Sequence, residues 1–140
     1  MAESRHCSAM SEYLNFKSLK RPPKPNTCLV APPHHCLAAE PDFNPPELLM
    51  TGRGLFSKVS EIIAAERSFS KIESDPDALR LKFIATTGLM RFKDDIDIEV
   101  IPLDDGRATL AVYSRSRVGY SDLGANRKRV MKLIEQLTTN

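Results

Sequence analysis

Two short stretches of the chain hold polar residues that strand or helix alternation does not explain. They are Arg91-Phe92-Lys93-Asp94-Asp95 and Ser114-Arg115-Ser116-Arg117-Val118-Gly119-Tyr120-Ser121-Asp122-Leu123-Gly124-Ala125-Asn126-Arg127. Planar guanidinium forks bind carboxylates and phosphates through paired hydrogen bonds. A glycine lets backbone approach closely, and a helix start offers free N–H groups to an anion. Arg91, Asp94, Asp95, Arg115, Arg117, Tyr120, Asp122, Asn126 and Arg127 are therefore the candidate ligand-binding residues. In this reading Arg115 and Arg117 supply positive charge, Tyr120 a stacking face, and the aspartates orient the arginines. The structural alternative uses the same atoms. Arg115 and Arg117 pair with Asp94 and Asp95, while Asp122 caps the following helix and accepts from Arg127 or Tyr120.

Other constellations offer less. Asp94, Asp95 and Asp97 are carboxylates at close spacing, but Arg80, Lys82 and Arg115 are their expected neighbours and offset the charge a metal would need. Cys28, His34, His35 and Cys36 are zinc-ligand types, at a spacing standard sites do not use. No metal and no cofactor are assigned. The chain's three cysteines suit a reducing compartment, with a Cys28–Cys36 disulfide as the alternative if the protein is exported. Its three histidines all precede residue 36, so the folded unit expected below contains no histidine general base.

Composition narrows the class. The 140 residues are 41% hydrophobic and 27% charged, enough apolar content for one core. Twenty Lys and Arg against eighteen Asp and Glu leave +2, too little to suggest nucleic acid. The charge is unevenly spread. Residues 41–110 carry nine basic and thirteen acidic groups, and residues 111–140 carry six and two. Internal pairing is the simplest use of that split; a small anionic ligand or a protein partner is the alternative. No apolar run approaches the roughly 18 residues of a membrane span.

The candidate residues need elements to position them. Eight of the ten prolines lie between Pro22 and Pro46. Residues 1–25 are read as a flexible arm and residues 26–50 as Pro-rich extended coil, because proline lacks the ladder N–H. Tyr13, Phe16 and Leu19 ahead of Lys20-Arg21 form a short amphipathic piece of that arm, with membrane-surface contact as the alternative to an unstructured tail. Leu55, Val59, Ile62 and Ile63 predict a helix over residues 52–67 capped by Thr51. Period-two patterns predict four strands: one over residues 69–73 and three carried by Leu79-Leu81-Phe83, Ile96-Ile98-Val100 and Ala108-Leu110-Val112. A turn is expected at Ser74-Asp75-Pro76-Asp77. A helix over residues 123–137 follows, capped by Ser121 or Asp122, with Val130, Leu133, Ile134 and Leu137 inward and Arg127, Lys128, Arg129 and Lys132 on its wet side. The predicted fold is α+β: a four-stranded antiparallel sheet with one wet face and both helices on the other, over residues 51–140.

The third and fourth predicted strands fix a register. A loop of Asp104-Asp105-Gly106 with Leu103 opposite Arg107 places Val100 against Leu110, Ile98 against Val112, Asp97 against Tyr113 and Asp95 against Arg115. Lys93 then falls near Arg117, which is unfavourable unless an acid or a bound anion intervenes.

With these residues in view, the run Arg91-Phe92-Lys93-Asp94-Asp95 and the segment from Ser114 to Arg127 resemble the family catalogued as domain of unknown function 1499. The resemblance covers most of residues 26–137, and Pro25-Asn26-Thr27-Cys28 resembles an upstream element of the same family. It implies the fold and the site position more than an activity, and it raises envelope association, since members often carry an export signal or membrane anchor. No signal peptide is visible in the first 25 residues, so the default expectation is cytoplasmic. The leading functional reading is a non-catalytic binding or interaction module at the Arg/Asp-lined end of strand four. The alternatives are a hydrolase or transferase acting on a small anionic substrate there, and a structural component of a larger assembly.

Overall fold

A computed structural model describes residues 12–88, 91–104 and 106–139. In chain order the elements are β1 (Thr27–Val30), α1 (Gly52–Ala65), β2 (Phe69–Asp75), β3 (Arg80–Thr86), β4 (Lys93–Asp104), β5 (Arg107–Ser116) and α2 (Ala125–Thr138). The strands form one antiparallel sheet in the order β1-β5-β4-β3-β2.

The sheet therefore has five strands, not the four expected. The extra strand, β1, lies inside the Pro-rich segment and pairs with β5 from Thr27↔Arg115 to Val30↔Val112. An edge strand needs only one ladder, and residues 26–31 are a proline-free window long enough to supply it. The chain then returns along the same side. Phe43 bridges Val30 and Leu48 bridges Ala108, so the outer edge of β5 is covered beyond β1.

Alternation divides the side chains between two cores. One face carries Leu81, Phe83, Ala85, Ile96, Ile98, Val100, Leu110 and Val112 against Leu55, Val59 and Ile63 of α1 and Val130, Leu133 and Leu137 of α2. The helices take this face because their apolar residues recur at helical spacing. Thr51 caps α1 by accepting from Gly54 N at 3.0 Å. Gly52 sits where a Cβ would come within 2.8 Å of Pro102 Cγ, so the first turn of α1 abuts the end of β4.

The opposite face was expected to be wet. It is covered instead by residues 12–44, with Phe16 only 2% exposed and Leu19, Leu29, Ala31, Ala111 and Tyr113 buried around it. The described part of the expected flexible arm, from Glu12 on, is thus laid across the sheet. Arg80 donates to Leu14 O at 2.9 Å, Lys82 donates to Glu12 O at 2.7 Å, and Leu14 N donates to Asp97 Oδ1 at 3.4 Å. The amphipathic reading of Tyr13, Phe16 and Leu19 holds, but its apolar side meets the sheet. Residues 1–11 lie outside the described residues.

The register of β4 and β5 agrees with expectation at Val100↔Leu110, Ile98↔Val112, Asp97↔Tyr113 and Asp95↔Arg115. Its closing end does not. Asp104, not Leu103, pairs with Arg107, and a bulge between Pro102 and Asp104 absorbs the extra residue; Asp105 of the expected loop lies outside the described residues. The earlier turn is also displaced, since β2 continues to Asp75 and the turn spans residues 76–79. Helix α1 ends at Ala65 and α2 begins at Ala125, each shorter than expected at one end.

If the N-terminal segment is a second core layer, Phe16→Ala will lower unfolding stability by about 3–5 kcal/mol, as for a buried aromatic. Chemical denaturation checks this, and an unchanged midpoint would mean that the segment adds nothing to the fold.

Candidate functional site

The sheet pleat decides which candidate residues meet. Asp94 and Asp95 are adjacent in β4, so they point to opposite faces. They serve different networks.

On the helix face Asp94 is buried, and its Oδ2 lies 2.8 Å from Arg129 Nη2 of α2. Arg129 Nη1 also donates to Ser114 Oγ at 3.0 Å and to Asn126 Oδ1 at 2.9 Å. Asn126 is fully buried at the centre. Its Nδ2 lies within hydrogen-bond distance of Asn26 O (3.0 Å), Ser116 Oγ (2.9 Å) and Asp122 Oδ2 (2.7 Å). Asn26 in turn donates to Gly119 O at 2.9 Å. One buried cluster thus ties β1, β4, β5, the loop after β5 and α2.

Asp122 completes it. Its carboxylate accepts from Gly124 N at 2.8 Å and Asn126 N at 3.0 Å, which occupies the start of α2. The expected cap is therefore made by Asp122, although the formal N-cap is Gly124 at φ 84°, two residues later. Burial pushes the Asp122 carboxyl up, but the hydrogen bonds from Asn126 and Gly124 outweigh it and hold it below the ordinary carboxylate value. Asp122 thus occupies N–H groups at the helix start that the anion-site reading uses.

On the arm-covered face the pairs run diagonally. Arg117 grips Asp95 with two bonds, Nε to Oδ2 and Nη2 to Oδ1, both 2.9 Å. Arg115 donates to Asp97 Oδ2 at 2.8 Å and lies 4.9 Å from the Tyr113 ring centroid. Asp95 is the acid that offsets the charge of Arg117 next to Lys93. The expectation that Asp94 joins this pairing is corrected, because it sits on the other side of the sheet with Arg129.

The remaining candidates are not gathered. Arg91 and Tyr120 are exposed, and Arg127 lies over the Phe43 ring at 5.2 Å. Cys28 is buried under the helices, whereas Cys36 packs on the other face, which rules out the Cys28–Cys36 disulfide in this fold. Burial, with Asp42 beside it, pushes the Cys28 thiol up to about 11. His34 is exposed, and His35 Nε2 lies 3.0 Å from Glu99 Oε1. Among the described residues no three His, Cys, Asp or Glu side chains are grouped to hold a metal.

Sequence reasoning missed Asn26, Ser114, Ser116 and Arg129 as partners of Asn126. Ser114 and Ser116 fall on the same strand phase as Leu110 and Val112, the one signal that could have marked them as buried. It also missed a cleft beside the cluster. About 370 Å³ of space opens between the end of α1, the β2 entrance, the sheet and α2. Ile62, Phe69, Phe83, Ile96, Val112, Val130 and Leu133 give it apolar walls, and Lys128, Arg129, Lys132 and Glu66 are its charged lining residues. Lys132 Nζ lies 3.8 Å from Glu66 Oε1. Glu66 also accepts from Ser68 Oγ at 2.9 Å, and Ser68 holds its carboxyl below the usual range.

Two outcomes follow from the buried cluster. Removing Arg129 alone strands Asp94, so Arg129→Met should cost about 3–5 kcal/mol, while Asp94→Leu with Arg129→Met should recover most of it; thermal melts of the three variants decide. Asp122→Ala should cost about 1 kcal/mol at neutral pH. Because the folded-state pKa of Asp122 is depressed, its contribution is present above the unfolded value of about 4 and is lost as pH falls through the folded value. The gap between wild type and Asp122→Ala should therefore narrow on acidification, measured as denaturation midpoints from pH 7 downward.

No curated protein matches the chain. The comparison with family models does give a match, over residues 21–137, which takes in the helix-side core, the buried cluster and the cleft but not Phe16 and Leu19 of the second core. The chain belongs to the family described as protein of unknown function DUF1499.

Proposed function

We propose that the protein is a non-catalytic binding module for a small anionic amphiphile, held in the cleft between α1, α2 and the sheet. The observation that carries this reading is the pairing of apolar walls with Lys128 and Lys132 in the lining of the cleft; Arg129, also in the lining, is held by Asp94. A cleft of about 370 Å³ is in the size range of small-ligand sites, which run to roughly 300–1,000 Å³. Apolar walls give affinity of about 0.8 kcal/mol per buried methylene, and a few charged groups fix orientation.

Binding is favoured over turnover by Glu66, the one carboxylate among the described residues that line the cleft. Glu66 is held below the usual carboxylate range by Ser68, and a base of low pKa is a poor proton acceptor at neutral pH. Arg115 and Arg117, the leading ligand contacts by sequence, are engaged by Asp97 and Asp95. In this reading the ligand lies against α2, with Ala125 and Lys128 in its lining, and the arginine-rich loop has a structural part.

Octanoate, octanol and acetate are suitable probes, followed by calorimetry and thermal shift. Octanoate should bind and stabilise the protein, and the two probes lacking charge or chain should do so weakly. Lys128→Ala and Lys132→Ala should each weaken octanoate by about three- to fivefold. Glu66→Gln should strengthen it, since a like charge leaves the rim. Octanoate no better than acetate, or the same affinity in all three variants, would reject the cleft as an anionic amphiphile site.

A further inference from the structure

One end of the sheet carries a surface that the cleft does not use. Among the described residues nine large apolar side chains are exposed, and four of them, Phe92, Val118, Tyr120 and Leu123, lie in two stretches at this end. Those stretches are held together. Arg117 N donates to Lys93 O at 3.2 Å, Thr87 N donates to Phe92 O at 2.8 Å, and Asn26 fastens Gly119.

Leu123 is the most exposed of the nine, at 90%. It also adopts φ 55°, in the left-handed region that is sterically unfavourable for a residue with a Cβ, as do His34, Lys71, Leu79 and Arg91. A glycine at this position would relieve both the strain and the exposure. A leucine held outward against both points to a role outside the fold.

The charges around these side chains have one sign. Arg91 and Lys93 are exposed and have no ion pair with an acid among the described residues. The acids nearby are already engaged, Asp94 by Arg129, Asp95 by Arg117 and Asp122 by the start of α2. We propose that the two stretches, residues 91–93 and 117–123, dock the protein on an anionic membrane surface, with Leu123, Val118 and Tyr120 entering the interface and the basic residues meeting lipid headgroups. Apolar tips on loops flanked by cations fit an interface, where tyrosine is also favoured. No helix among the described residues is long and apolar enough to cross a membrane. The proposal goes beyond the cleft and does not depend on it.

Vesicle co-sedimentation of the full chain tests it, with phosphatidylcholine alone against phosphatidylcholine containing about one-third phosphatidylglycerol. Wild type should bind only the anionic vesicles and be released near 1 M salt, where screening falls to about 3 Å. Arg91→Ala and Lys93→Ala should each weaken binding about fivefold. Val118→Ser with Leu123→Ser should weaken it at least tenfold, by about the free energy of burying two aliphatic side chains in part. Leu123→Gly separates this role from a structural one, since it should hold or raise the melting temperature while losing vesicle affinity. In Tyr120→Trp, emission should shift to the blue on anionic vesicles. Absence of binding, binding unaffected by Leu123→Gly, or self-association in solution abolished by Leu123→Gly would each overturn the proposal.

Discussion

The buried contact between Asp94 and Arg129, with Asn126 beside it, is the constraint on which the rest of the molecule depends. A carboxylate and a guanidinium withdrawn from water lose several kcal/mol of hydration each, and their attraction offsets this only when the surrounding hydrogen bonds are also made. Here Asp94 Oδ2 has the 2.8 Å contact with Arg129 and no hydrogen bond besides among the described residues. The bonds that hold Arg129 and Asn126 come from separate parts of the chain: Ser114 and Ser116 from β5, Asn26 just ahead of β1, and Asp122 from the loop ahead of α2. Each can satisfy the cluster only if its element is in place. The cluster therefore sets the seating of α2 on the sheet more narrowly than the apolar stripe of Val130, Leu133 and Leu137, which tolerates small shifts.

The same arrangement accounts for the arginine-rich loop. Residues at odd positions of β5 face the N-terminal segment and those at even positions face the helices, so Ser114-Arg115-Ser116-Arg117 sends hydroxyls to the buried cluster and guanidinium groups to the other side. Arg115 and Arg117 then cross-link β5 to β4 through Asp97 and Asp95. A cation and an anion on neighbouring strands, fixed by two bonds in the Arg117 pair, hold register where the ladder approaches its end. The acids and arginines grouped as one candidate site in sequence fall into two networks on opposite faces of the sheet.

Much of the architecture was legible. Period-two runs identified β3, β4 and β5, and the phase of Ile96, Ile98 and Val100 against Leu110 and Val112 gave their pairing, because a one-residue slip would move every apolar side chain to the wrong face. The closing bulge at Pro102 was not legible, since it leaves that phase unchanged. β1 was hidden by prolines on both sides of a four-residue strand, and an edge position asks little of the sequence. Phe16 and Leu19 carry too short a pattern to say what they cover. Treating Asp94 and Asp95 as one acidic pair was an error of the pleat, since adjacent strand residues cannot share a face.

Two cores on either side of one sheet leave the loops at its end as the part of the molecule that packing constrains least. In the middle of the sheet, Ile98 and Val112 face the helices and Tyr113 and Ala111 face the N-terminal segment, so neither face has apolar surface to spare. Exposed apolar side chains at the sheet end must then be explained locally. At Leu123 the backbone is strained as well as exposed, and neighbouring Asp122 is already committed to α2. The buried cluster thus holds the base of the loop while leaving its tip facing solvent. A tip fixed at its base loses little conformational freedom when it meets a surface, so more of each contact's free energy appears as affinity.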